Sequence, residues 1–422
     1  MVTPAPVVTP RRSLASWIVY DMAAHGYTLM VSGVAYPVYF ASIVAAGRGN
    51  ADMLWSLALG LPLVMAGLLG PWIGALADAT GRRRALLAAT TLACSAATAL
   101  LVFVGAGDVA PGIILFAAAH LMHLLATSLY NSYLPLIAAP DRVARISGIA
   151  WGLSYLGSVA VFVLCLPFTR DGLAPANVAQ FTGTFLVAGA FLAIIGLPAV
   201  IGLPRTARQH AADGEPGPYR RIASTIRGWR RDRNVPRLLL AYYLVNDGVV
   251  TAVFFTALTF RKTYGMGVQE ILGLALVLQL VAIPATIFFG WLGGRWSQRG
   301  ALNVAIVLWI GVLTLMATAD GLNGAIAVTV SLGVVLGSTQ SLFRSLFAGF
   351  VPVDRASEYF GFHALVGRAS AALGPLTFGL VSAWTGSQRI AMASLAVFFI
   401  AGGIVLAFVR TPRLVEPGLR GS

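Results

Sequence analysis

The sequence predicts an all-α membrane protein, with twelve transmembrane helices arranged as two pseudo-symmetric halves of six. Three observations predict it. Hydrophobic residues make up 58% of the chain and charged residues only 10%, with a mean hydropathy of +0.82, against soluble averages of about 45–50% and 25%. Twelve apolar stretches are each long enough to cross a bilayer, which takes about 20 residues at ~1.5 Å rise per residue. Part of the first half also recurs in the second, as expected of a duplicated bundle.

In chain order, residues 1–13 are Pro-rich, end near Arg11-Arg12, and read as a cytoplasmic tail. No cleavable leader is expected, because the apolar segment that follows is long, carries Asp21 and lacks a small-residue cleavage site. Spans are expected at about 14–42, 52–77, 84–105, 111–138, 146–168 and 179–203, then at about 237–260, 268–293, 301–319, 323–350, 358–383 and 389–410. The connections alternate in character. Those on one face hold Gly, Pro and Asp, as in GAGDVAP and ADGLNG, whereas those on the other carry arginine clusters. By position, 22 of the 29 basic residues fall on that second face, which the positive-inside bias makes cytoplasmic. Both termini are therefore expected inside. The net charge of +14 then reflects topology and contact with anionic lipid headgroups, with no nucleic-acid partner implied.

Residues 204–236, polar and basic with interspersed Pro and Gly, read as a linker between halves spanning 14–203 and 237–410, and 411–422 as a second cytoplasmic tail. Tyr219 to Trp229 has the pattern either of an amphipathic helix lying on the membrane surface or of a flexible tether. The repeat supports the division. Tyr130 to Gly148 aligns without gaps on Phe343 to Gly361, placing Asp141-Arg142 over Asp354-Arg355. Gly74 to Arg84 has a weaker counterpart starting at Gly290, in which Gly294 takes the place of Asp78. Asp21 and Asp247 stand at similar depth in the first and seventh spans.

Ionisable groups within a span are costly and normally face a partner or a water-filled cavity. Asp21 and His25 share one helix face at i,i+4. Such a pair can share a proton whose release depends on which side water reaches it, a role in coupling or gating. His120 and His123 share a face of the fourth span. They are expected to line the cavity or bond between helices, because a zinc site needs three or four ligands with supporting groups. Asn246 and Asp247 sit in the middle of the seventh span. Gln340 and Arg344 lie one turn apart in the tenth, and Arg344 needs a carboxylate, either Asp247 or Asp21. Arg368 lies about 15 Å beyond Glu358 in the eleventh span. There it can either clamp a substrate carboxylate or phosphate or pair with an aspartate on another helix. The substrate cavity is accordingly assigned to Asp247, Asn246, Arg368, Arg344, Gln340, His123 and His120, and proton coupling to Asp21 and His25.

The short loop Gly74-Ala-Leu-Ala-Asp78-Ala-Thr-Gly81-Arg82-Arg83-Arg84 resembles the signature between spans two and three of the major facilitator superfamily. Small residues there let helix ends approach, and Asp78 can accept hydrogen bonds from a helix N-terminus or pair with an arginine. Gating is assigned to Gly74, Asp78, Gly81, Arg82 and Arg83, with Asp141, Arg142, Asp354, Arg355 and Glu358 at the other inner loops. Tyr20-Asp21, Trp151 to Gly157, Tyr243 to Gly248, Gly337 to Ser345 and Phe360 to Arg368 together resemble the vacuole-effluxer-like branch of that superfamily, which includes the fungal autophagy-related amino-acid effluxers. Ala24-His25-Gly26 and Arg368 depart from that branch's usual residues. The resemblance implies a major facilitator fold and a secondary active transporter of a small polar or amphipathic solute, an amino acid or other small organic metabolite. It implies alternating access, here expected to be proton-coupled, in a plasma (bacterial inner) membrane. The expected partners are the solute, protons and lipid, with the chain a monomer. Neither cofactor nor metal is expected, and an enzyme is not, since no nucleophile and base stand together. An exporter of a more apolar drug or metabolite, and a non-transporting receptor or assembly factor, remain the alternatives.

Overall fold

The computed structural model describes residues 11–48, 51–169, 173–174, 176–206, 218–230, 233–262, 264–266, 268–370 and 373–410. The outer parts of the expected tails (1–10 and 411–422) and of the linker (207–217 and 231–232) lie outside the described residues. Among the described residues there is no strand, and twelve helices are long and apolar enough to cross a membrane. They are Arg11–Val44, Leu57–Thr80, Arg83–Phe103, Val109–Ile137, Val143–Thr169, Val178–Gly202, Asn234–Thr256, Gly273–Arg295, Gln298–Thr318, Gly321–Ala348, Val353–Thr385 and Gln388–Ala407, numbered here as spans 1 to 12. An even count puts both ends on one side, here termed the termini face, opposite the far face.

A lipid-solvated fold inverts the usual surface rule, since backbone polar groups close within each helix while apolar side chains point outward. Leu68, Leu376 and Leu380 are more than half exposed on such outward faces. Large aromatics fill the inside instead. Trp17 and Tyr20 both stack on Tyr130, with centroids 4.9 and 5.0 Å away, and join span 1 to span 4 near the termini face.

Two of the irregular spans bear on the middle of the molecule. Span 1 widens into π-helical turns at Thr28–Ala35 and Phe40–Val44, a distortion that concentrates at functional sites. In span 11 one helix runs Ala356–Ala369 and ends in a turn at Ser370, and a second runs Leu373–Thr385, with 371–372 outside the described residues.

The halves meet where span 2 packs on span 11 and span 5 packs on spans 8 and 10. Glycines permit this. A Cβ on Gly148 would stand 2.6 Å from the Cα of Gly290, and one on Gly290 would stand 2.7 Å from the Cα of Gly148. At the pseudo-symmetric crossing, a Cβ on Gly361 would meet the Cα of Pro71 at 2.6 Å, and one on Gly74 would meet the carbonyl oxygen of Ser357 at 2.2 Å. Gly74 aligns with Gly290, and Gly148 with Gly361, so the repeated glycines are the four crossing points.

The glycine contacts between the halves fall toward the termini face and the middle. Leu373–Thr385, the far part of span 11, packs within its own half on spans 7 and 12. Gly60 and Gly273, at the far-face ends of spans 2 and 8, have open space before them. The halves thus meet closely at the termini face.

Candidate substrate site and gate

The candidate gate is centred on Asp78, at the end of span 2. Its Oδ1 accepts from Arg83 Nη2 at 2.6 Å, and its Oδ2 from the backbone N–H of Glu358 at 3.0 Å. Asp78 therefore does both things open to it. It pairs within its own loop, and it sits at the N-terminus of the first span 11 helix, where the helix dipole favours an anion. The loop turns at Gly81, whose φ of +65° is one that glycine adopts without strain. Arg83 also donates to the Ser132 carbonyl at 3.2 Å and lies over the Tyr133 ring. Arg82 is exposed and stands outside this latch.

Glu358 is fully buried. It receives Arg355, from one turn earlier, at 3.0 Å, and the hydroxyl of Thr225 at 2.5 Å. Thr225 belongs to a helix at Pro218–Gly228, within the linker, and that helix packs against the termini-face end of span 2. Trp229 follows it and sits edge-on to Phe362 at 4.8 Å. The linker thus contributes a buried hydroxyl to the candidate gate. Thr225→Val is expected to cost about 1.5–3 kcal/mol, as for a hydrogen bond to a charged group, measured as a fall in melting temperature of the purified protein. Ser224→Ala, which removes an exposed hydrogen bond to Arg355, should cost well under that; equal losses would remove the linker from the proposed gate. The other inner-loop residues contribute less. Asp141 and Arg142 pair at 3.6 Å but are largely exposed, a setting in which ion pairs are worth little, and Asp354 is exposed.

One level deeper, Arg344 of span 10 inserts into the other half. Its Nη1 reaches Asp21 Oδ2 at 3.1 Å and Asn131 Oδ1 at 3.3 Å, its Nε reaches Ser147 Oγ at 3.0 Å, and its Nη2 reaches the Ser147 carbonyl at 2.9 Å. The guanidinium is 2% exposed and lies 4.8 Å from the ring centroids of both Trp17 and Trp151. Of its two possible carboxylates, it takes Asp21. Asn131 and Arg344 are aligned positions of the repeat, so the pair straddles the pseudo-symmetry axis. His25 sits at the edge, its Nδ1 3.1 Å from the Asp21 carbonyl and 3.4 Å from Oδ1, with 23% of its side chain exposed. It packs edge-on against Trp151 at 5.3 Å.

Asp247 plays a different part. It is fully buried and accepts from the backbone N–H groups of Leu373 and Gly374 at 3.1 and 2.8 Å, at the start of the second span 11 helix. A Cβ on Gly374 would fall 2.1 Å from Thr251 Oγ1, so only glycine lets the helix end come that close. Next to it, Asn246 donates to the Gly367 carbonyl at 3.1 Å and to Ser370 Oγ at 2.6 Å, and accepts from Gln340 at 2.6 Å. Adjacent residues of span 7 therefore brace the two sides of the break in span 11.

Arg368 lies just before that break. Its Nη2 donates to the Leu124 carbonyl in span 4 at 2.7 Å, while Nη1 is shielded from solvent and has no hydrogen-bond partner among the described residues. No carboxylate pairs with it among those residues. His120 and His123 both engage the π-helical part of span 1: His123 Nε2 lies 3.0 Å from Thr28 Oγ1, and His120 Nδ1 lies 3.1 Å from Ser32 Oγ. Among the described residues no group of three or more His, Cys, Asp or Glu could hold a metal ion.

Sequence reasoning missed Ser147, Asn131, Thr225, Ser370 and the Leu124 carbonyl. Asn131 carried a signal, since it aligns with Arg344. A backbone carbonyl carries none.

A family model described as "Vacuole effluxer Atg22 like" matches residues 54–416. A Bacillus subtilis (strain 168) protein described as the uncharacterized MFS-type transporter YxiO is 26% identical over 411 residues, covering 93% of this chain and 94% of its own. Autophagy-related protein 22 of Cryptococcus neoformans var. neoformans is 24% identical over 293 residues, which is 64% of this chain and 53% of the fungal protein, so the match spans about half of that relative. Among solved structures, the proton:xylose symporter XylE bound to 6-bromo-6-deoxy-D-glucose superposes with a TM-score of 0.72 at 13% identity, covering 95% of this chain and 96% of its own. At that identity the likeness is one of fold.

Proposed function

This chain belongs to the Atg22-like vacuole effluxer family, within the major facilitator superfamily, and we propose that it is a secondary active transporter coupling a small polar or amphipathic solute to protons. The observation that carries the proposal is the buried Asp21–Arg344 pair, which joins one half to the other with a partly exposed histidine at its edge. The arginine bias of the termini face makes that face cytoplasmic, in a plasma (bacterial inner) membrane. The arrangement described is then closed to the cytoplasm and open toward the outside.

The halves rock about a site between Arg368, Asn246 and Gln340 on one side and His120 and His123 on the other, with Asp78, Arg83 and Glu358 as the inner latch. A proton delivered through His25 neutralises Asp21 and removes the charge that holds Arg344 in the opposite half, so the inner side can part. Water access from the cytoplasm then takes the proton away, and the pair re-forms. Two helical halves related along the membrane normal, with the site near mid-depth, are the arrangement this cycle requires.

Asp21→Asn tests the cycle. The amide keeps an acceptor for Arg344, which also retains Ser147, Asn131 and two indole faces, so the closed geometry survives while the proton carrier is gone. In proteoliposomes, uphill accumulation driven by a pH gradient should fall to background while solute exchange persists. Undiminished uphill transport would reject coupling through Asp21. Ligand binding with no flux in any gradient would turn the reading to a receptor.

A further inference from the structure

We infer that the solute is a net organic anion whose carboxylate docks on Arg368, rather than a zwitterionic amino acid. The inference rests on the transporter reading above and names its substrate class.

It follows from the charges between the halves. Four carboxylates are buried among the described residues: Asp21, Asp78, Asp247 and Glu358. Each is already engaged. Asp21 holds Arg344, Asp78 holds Arg83 and a helix N-terminus, Glu358 holds Arg355 and Thr225, and Asp247 holds two backbone N–H groups. Arg83 and Arg344 are paired by the same bonds. Arg368 remains, with one nitrogen on a carbonyl and the other shielded and without a hydrogen-bond partner. A guanidinium at this depth without a counter-ion is costly, and its planar fork matches a carboxylate held through two nitrogens.

Asp247 also lacks a cation, but both of its oxygens are taken by helix N–H groups, so the unmet demand lies at Arg368. An α-amino acid would bring an ammonium group as well, and no buried carboxylate is left to receive it. An organic acid brings only the charge that is missing. Beside the fork, Asn246 braces the Gly367 carbonyl, and a Cβ on Gly367 would meet the Tyr242 hydroxyl at 2.8 Å.

Arg368 also occupies a telling position. It belongs to one half, its one hydrogen bond among the described residues crosses to span 4 of the other, and a Cβ on Gly70 of span 2 would lie 3.8 Å from Nη1. A carboxylate that takes the fork competes with the Leu124 carbonyl, one of the bonds that ties the halves together. Substrate occupancy and the gate therefore share a side chain.

The test uses the purified full chain and probes matched by carbon skeleton: lactate against alanine, 2-hydroxy-4-methylpentanoate against leucine, and 3-phenyllactate against phenylalanine. At least one acid should raise the melting temperature and give saturable counterflow in liposomes, while its amino-acid match does neither. Arg368→Gln should weaken that acid roughly 30-fold or more, as expected for truncating a buried charge pair, and Arg368→Lys should weaken it less. The unliganded melting temperature of each variant reports whether it is folded. Amino acids that bind as well as their matched acids, acids undiminished by Arg368→Gln in a folded variant, or a panel in which no acid binds would each overturn the inference. Gradient-driven flux of an amino acid without response to acids leaves the transporter reading standing and removes the anion. Acid binding that depends on Arg368 without flux supports the anion site and removes the transporter reading.

Discussion

Arg344→Ala is expected to abolish both net transport and exchange, and to destabilise the protein by about 3–5 kcal/mol, the cost of leaving a buried charge without its partner. The side chain makes four hydrogen bonds into the opposite half and lies between two indole rings. Its removal strands Asp21, which is 3% exposed, and opens a void between Trp17 and Trp151. A double variant, Asp21→Asn with Arg344→Gln, separates charge from packing. If the loss comes from an orphaned carboxylate, the double variant should melt above Arg344→Gln alone, because no buried charge is left unpaired. Flux in proteoliposomes and thermal melting of the four proteins close the cycle. Additive losses would mean that the ion pair does not couple the halves.

Gly148→Leu is the second large effect, expected under the proposed rocking of the halves to act on one conformation rather than on folding. The new Cβ would stand 2.6 Å from the Cα of Gly290 and 2.9 Å from the Thr286 carbonyl. Backbone atoms cannot yield as a side chain tip can. The contact exists only while spans 5 and 8 are closed together, so the clash is relieved when they part. Overpacking of this kind costs about 1–3 kcal/mol, equivalent to shifting the closed population roughly 5–150-fold. Beside that crossing, Ser147 Oγ of span 5 and Ser341 Oγ of span 10, in the opposite half, are 3.2 Å apart. A Ser147→Cys, Ser341→Cys pair should cross-link readily in the parent and slowly with Gly148→Leu. Gly311→Leu, where the added group meets open space, should leave the cross-link unchanged. Equal cross-linking in all three proteins would show that this crossing does not limit the movement.

Much of this was legible in the chain. Twelve apolar stretches gave the helices, because a bilayer leaves the backbone little alternative. The repeat placed Gly148 over Gly361 and Gly74 over Gly290, and those positions became the crossings. Asp21, Asp247, Arg344 and Arg368 stood out because charge within a span is rare for energetic reasons. Their partners did not stand out. Arg344 could have taken either aspartate, and Arg368 could have taken an aspartate or none. The linker pattern fitted a surface helix or a tether, but nothing in it placed Thr225 against Glu358.

By itself, then, the sequence determined what is set by hydrophobicity and periodicity: helices, their number, their duplication, and which polar groups had to be hidden from lipid. The tertiary structure alone decided how those groups were shared out. A helix N-terminus, formed by the break in span 11, satisfied Asp247 in place of a cation and left Arg368 unpaired. Pairing between helices depends on how two distant segments are rotated and set in depth against each other, and a carbonyl or an exposed helix end can replace a charged side chain without appearing in the sequence.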